Sequence, residues 1–282
     1  MVGRFGKAVI AAAGLCLIAS SVPAQPVTDP NTAEQKCEAA VGKVLAKFVS
    51  AKGKCVQKCI SAARKAGGPF TGCFPPYSDT ATQTCISDSL KGAETKAGAG
   101  IAKACTPDCP ECYTNAQCTN NTSANPWVQT TEGDIDAPFG PGTGFPDLIY
   151  CVEKQTATAP PAATAKCEDG VSKALAKFVG GKSKCYAKCL STGYKTGSGR
   201  AYCQPPNPLD AAANACIHDP VKGAEAKAKA AILKVCTDAT KPSCYSGNAD
   251  TAASSWVSAV ETKVDQRNPQ VACGSPSAAF LQ

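Results

Sequence analysis

From Cys37 to about Lys65, apolar residues recur at three- and four-residue steps. Cys37, Val41, Val44, Leu45, Phe48, Cys55, Val56, Cys59 and Ile60 fall on one stripe at helical periodicity. Lys43, Lys47, Lys54, Lys58 and Lys65 form a separate basic row. No proline interrupts the run, and Gly67-Gly68-Pro69 ends it. The pattern predicts one long amphipathic helix. A second helix is predicted from near Cys85 to Cys105, with Leu90, Ala93, Ala97, Ile101 and Ala104 on a shared face. The intervening loop is rich in Gly, Pro, Ser and Asp.

The same pattern returns later in the chain. Cys37, Cys55, Cys59 and Cys73 match Cys167, Cys185, Cys189 and Cys203 without a gap. With small gaps, Cys85, Cys105, Cys112 and Cys151 match Cys216, Cys236, Cys244 and Cys273. The basic row recurs as Lys173, Lys177, Lys184, Lys188 and Lys195, and Val221, Ala224, Ala228, Ile232 and Val235 repeat the second apolar face. Trp127 matches Trp256, and a third helix is expected around Trp256, Val260 and Val264, capped by Ser254-Ser255. In the first copy a run rich in glycine and proline predicts a shorter helix followed by irregular chain. Both tryptophans are expected to pack over the open side of their hairpins.

The predicted fold is therefore all-α, with two tandem disulfide-stapled helical-hairpin domains, each with a third helix bearing a Trp. Expected boundaries are a signal peptide at 1–24, a disordered leader at 25–35, repeats at 36–155 and 166–275, a Pro/Ala/Thr linker at 156–165 and a tail at 276–282. The signal peptide is read from Arg4 and Lys7, the apolar run 8–20 and the small residues before the expected cleavage after Ala24. It implies a secreted or periplasmic location. No integral membrane span is expected, because the apolar run is shorter than the ~20 residues a spanning helix needs.

Removing the signal peptide leaves eighteen cysteines, an even number, in an oxidising compartment. Cys37 to Cys55 and Cys85 to Cys105 span about 27 Å and about 30 Å of helix. Antiparallel packing of such lengths predicts Cys37–Cys105 and Cys55–Cys85 as clamps. Cys59–Cys73, Cys112–Cys151 and Cys109–Cys118 complete the first repeat. Cys167–Cys236, Cys185–Cys216, Cys189–Cys203 and Cys244–Cys273 complete the second. Each bridge typically adds about 2–4 kcal/mol, which offsets the thin core of alanine-rich helices. Cys55-x3-Cys59 and Cys185-x3-Cys189 resemble the Cys-x3-Cys element of stapled helical hairpins such as plant hairpin-like peptides and small mitochondrial chaperones. Those families carry the element on both helices, whereas here the second helix lacks it. The resemblance implies the stapling principle and transfers no function.

Removing Arg4 and Lys7 lowers the formal charge from +7 to +5, a mildly basic balance. The lysine rows are the only patterned polar feature. Lys43, Lys47, Lys54 and Lys58, with Lys173, Lys177, Lys184 and Lys188, are the candidate surface for acidic polysaccharide or another anionic surface. Nucleic acid is not an expected partner, and the partner's identity is open. Cys105-x3-Cys109-x2-Cys112 has iron–sulfur spacing, but an exported chain favours disulfides, so no metal or cofactor is expected. His218, the one histidine, reads as a surface or capping residue. Asp134, Asp136, Glu261 and Asp265 read as a solvated helix face. No catalytic residue is assigned, and a non-enzymatic binding or structural protein is expected. The alternatives are an enzyme or redox protein with an unrecognised site, or a membrane-active helical protein.

Overall fold

The computed structural model describes residues 32–137, 144–196, 200–203, 205 and 208–273. The expected signal peptide and tail lie outside the described residues. All regular elements among the described residues are helical.

Helix α1 runs over Thr32–Ala66, beginning inside the stretch expected as leader. Glu34 in its first turn, and Arg64 and Lys65 in its last, suit the helix dipole. Gly67 and Gly68 then take positive φ, and the Gly68 N–H bonds back to the Ala63 carbonyl at 2.8 Å. Left-handed backbone of this kind ends a helix at little cost only with glycine. Helix α2 covers Thr80–Ser87 and α3 covers Ala93–Cys105. The expected single second helix is thus broken. The Asp88 carboxylate accepts the N–H groups of Leu90 and Lys91 at 2.9 and 2.6 Å, folding a turn. At Gly92 a Cβ would lie 2.5 Å from the Asp88 nitrogen, so this turn admits only glycine. Leu90 consequently points to solvent, 81 % exposed, instead of sharing the helix face. Asp219, Gly223 and Val221 repeat this turn in the second half.

Three short helices follow α4 (Asn115–Thr119): α5 (Pro126–Asp136), α6 (Phe145–Ile149) and α7 (Cys151–Thr156). Helix α8, Ala162–Thr196, is the counterpart of α1 and matches its 35 residues. It begins inside the stretch expected as linker. Alanine is the best helix former, and Ala165 N–H bonds to the Pro161 carbonyl at 2.9 Å, so the helix absorbs the alanine-rich end of that tract. Helices α9 (Ala211–His218), α10 (Ala224–Leu233) and α11 (Ala249–Val271) complete the chain. The α11 cap is Asn248, which accepts from Thr251 N, and not Ser254-Ser255. Helix α5 has 11 residues against 23 for α11, the expected asymmetry between the third helices.

Helices α1 and α8 lie antiparallel against each other. Near the end of α1, Arg64 bonds to Glu168 at 2.7 Å and Asp169 at 3.1 Å, near the start of α8. Near the start of α1, Glu38 accepts from the Tyr194 hydroxyl at 2.9 Å, near the end of α8. One core combines Val56, Ile60 and Phe74 with Val171, Leu175 and Phe178. Trp127 packs edge-on to Tyr113 at 5.0 Å, and Trp256 edge-on to Tyr245 at 5.4 Å.

Nine disulfides form among the described residues. They join Cys37 to Cys105, Cys55 to Cys85, Cys59 to Cys73 and Cys109 to Cys118 in the first repeat. In the second they join Cys167 to Cys236, Cys185 to Cys216 and Cys189 to Cys203. The other two correct the sequence-based pairing. Cys112 bonds Cys273 and Cys151 bonds Cys244, in place of Cys112–Cys151 and Cys244–Cys273. Cys112 corresponds to Cys244 and Cys151 to Cys273, so the two cross-links are the same bond with the repeats exchanged. The scheme confined to single repeats fails because α1 and α8 cover each other. Closing that face brings the last cysteine of each repeat to its neighbour. So many disulfides point to an oxidising, extracytoplasmic compartment, and no described helix is long and apolar enough to cross a membrane.

Candidate functional site

The antiparallel packing of α1 on α8 leaves a narrow cavity of about 140 Å³ between the repeats. Its wall is itself duplicated. Leu45, Ala46 and Val49 of α1 stand opposite their counterparts Leu175, Ala176 and Val179 of α8. Thr131 and Ile135 of α5 correspond to Val260 and Val264 of α11. Phe145, Ile149 and Tyr150 close one side. Small residues hold the space open: Gly42, Gly53, Ser172 and Ser183 occupy equivalent positions on the two long helices. Along α1 the lining extends from Gly42 to Val56, about 21 Å of helix. A small volume spread over that length is a slot for a chain rather than a ring. For scale, an apolar cavity of about 150 Å³ stays dry and accepts a guest the size of benzene.

Two polar atoms in this wall lack well-formed hydrogen bonds. The Tyr150 hydroxyl is buried beside Ser172, and Asn268 Nδ2 is also buried. An orphaned buried polar group costs about 1–3 kcal/mol, which a ligand's polar end can recover. The Tyr150 phenol is pushed up by burial and by Asp169, so it is a neutral donor. Arg267 and Lys263 also line the wall, with Arg267 held by Asp134 at 3.0 Å.

Flanking the cavity are two buried lysine clusters that the sequence reading did not single out. Lys52 is fully buried and contacts Glu132, Asp136 (2.6 Å) and the face of Tyr77. Lys182 is fully buried and contacts Glu261, Asp265 (2.8 Å) and the face of Tyr186. Each tyrosine also donates to its aspartate, at 2.7 Å from Tyr77 and 3.0 Å from Tyr186. The tyrosines come from different places: Tyr186 lies on the long helix, where the first repeat has Val56, and Tyr77 comes from a loop. Asp136, Glu261 and Asp265 therefore do not form the expected solvated helix face. Asp134 too is turned to an ion pair with Arg267.

Burial raises the Asp136 and Asp265 carboxyls above the usual range, against the pull of the lysines. Burial and neighbouring Glu132 push Glu94 up to about 7. Burial and Glu261 push Glu225 up to about 7 in the same way. At one end of the α1–α8 pair, Arg64 binds Glu153 (2.6 Å), Glu168 and Asp169 and lies over the Tyr150 ring. Burial and Glu153 push Glu168 up to about 9 despite Arg64.

All eight candidate anion-binding lysines, Lys43, Lys47, Lys54, Lys58, Lys173, Lys177, Lys184 and Lys188, are exposed. They lie away from the cavity. A signal for Lys52 and Lys182 was nevertheless present. Lys52 falls four residues after Phe48 and three before Cys55, on the apolar stripe rather than the basic row, and Lys182 repeats it. His218 does not stand alone: its Nδ1 lies 2.6 Å from Glu225. No family model, curated protein or solved structure matches this chain.

Proposed function

We propose that this chain is a non-enzymatic extracytoplasmic binding protein that holds one short aliphatic chain, bearing a carboxylate head, in the cavity between its repeats. The observation that carries this reading is an apolar slot whose wall contains two orphaned polar atoms. Ligand sites typically combine mostly apolar walls with a few convergent polar groups. The Asn268 amide can donate to a carboxylate at the end of the slot lined by Gly42 and Ser183, and Lys263 on the same helix favours an anion over a neutral head, while the Tyr150 hydroxyl lies toward the other end beside Ser172. The disulfide clamps keep α1 and α8 rigid, so little ordering entropy opposes binding. Calorimetric titration with a short-chain fatty acid such as hexanoate tests this. Ala46→Phe and Ala176→Phe fill the slot and are expected to weaken binding at least tenfold, with far-UV spectra unchanged. Asn268→Leu is expected to weaken it severalfold. Undiminished affinity in both filled variants removes this reading.

The eight exposed lysines on the two long helices support a second role, contact with anionic polysaccharide or an anionic surface. Retention on heparin at moderate salt, reduced by Lys43→Gln, Lys47→Gln and Lys54→Gln together, is the expected result; flow-through of the wild-type chain dismisses it.

A further inference from the structure

The two repeats build one polar cluster twice, with a telling difference at its outer edge. Beside Lys52 stand Glu132, Glu94 and Ser87, which bonds Glu94 at 3.3 Å. Beside Lys182 stand Glu261, Glu225 and His218. His218 ends α9, Glu225 lies in the first turn of α10, and Glu261 sits within α11. One ligand atom from each of these three residues lies within 4.8 Å of the other two. We propose that His218, Glu225 and Glu261 form a binding site for a divalent transition-metal cation of the zinc type.

Imidazole nitrogen and carboxylate oxygen are the donors such ions take, and three protein donors leave a fourth position for water. A separate observation points the same way. Glu225 Oε1 is buried and accepts no well-formed hydrogen bond, although His218 Nδ1 lies only 2.6 Å away. Charge favours a cation there. The Lys182 ammonium faces three carboxylates, Glu225, Glu261 and Asp265, so the cluster carries a formal negative excess that a divalent ion cancels. Lys182 holds Glu261 in place, as outer-shell partners of metal ligands do. His218 and Glu225 are 26 % and 28 % exposed, so an ion has access. Cys37, Cys105 and Cys118 also lie close together, but all three are in disulfides and offer no thiolate.

The first repeat supplies the control, since it has Ser87 where the second has His218. Isothermal titration of the full chain with zinc chloride, after dialysis against chelator, is expected to show one Zn²⁺ per chain. His218→Ser is expected to weaken that binding at least tenfold, and Ser87→His to raise the stoichiometry to two. Thermal melts of the zinc-free proteins monitor folding. A wild-type chain that takes up no zinc overturns the assignment, and so does unchanged affinity in a folded His218→Ser protein.

Discussion

Replacing Lys52 with methionine is expected to destabilise the protein by about 3–5 kcal/mol at neutral pH, the usual cost of stranding a buried ionic partner. The methionine fills most of the lysine's volume, so the loss is not mainly a cavity effect. What remains is the pair Glu132 and Asp136, beside Glu94, with no cation to meet them. These carboxyls then hold their protons more tightly in the folded chain than in the unfolded one. A carboxyl raised in this way contributes stability below its unfolded pKa, about 4, and loses it as pH rises through the folded value. The deficit of Lys52→Met relative to wild type should therefore shrink toward acid and be largest at alkaline pH. Lys182→Met should behave alike through Glu261 and Asp265. Lys54→Met, at an exposed neighbouring position, should stay within about 0.5 kcal/mol. Chemical denaturation at several pH values reads all three. Equal stability of the Lys52 and Lys54 variants would show that the buried cluster contributes nothing.

Removing the two cross-links is the second large effect expected. Cys112 and Cys273 are 161 residues apart in sequence, and Cys151 and Cys244 are 93 apart. Restraint of the unfolded chain grows with loop length, so each bridge is worth about 2–4 kcal/mol or somewhat more, reduced here by the other bridges that already shorten the loops. Exchange of all four residues for serine should lower the melting temperature markedly. The shared core of α1 and α8 remains, so a single cooperative transition should persist. Two separate transitions would mean that the repeats fold independently.

Much of this architecture was written in periodicity and spacing. The long helices announce themselves because their apolar stripe and basic row run unbroken for many turns. Their clamps follow from matching helix lengths, since Cys37–Cys105 and Cys55–Cys85 need only an antiparallel hairpin. The breaks were harder to see. Asp88 and Gly92 interrupt a run whose alanines read as continuous helix, because the decisive facts are a side chain bonding to two backbone N–H groups and a glycine that no Cβ can replace. The exchanged bridges were invisible for a related reason. Spacing ranks cysteines within a repeat, whereas Cys112 and Cys151 are paired by how α1 meets α8, a long-range choice that leaves no periodic trace. The cavity depends on the same choice. Its wall residue Leu45 reads as ordinary core on the apolar stripe, and only packing of Leu45, Ala46 and Val49 against their own copies leaves a slot between them. Lys52 was legible by position, since it breaks an apolar stripe, but a lysine among many lysines is easily assigned to the surface.

The central claim is that the two repeats are interlocked around one shared cavity. Its most direct test is peptide mapping by mass spectrometry of the unreduced protein, digested at acid pH to prevent exchange. The expected spectrum contains peptides joining Cys112 to Cys273 and Cys151 to Cys244. Peptides joining Cys112 to Cys151 and Cys244 to Cys273 would contradict the interlock and return the molecule to two separately stapled units.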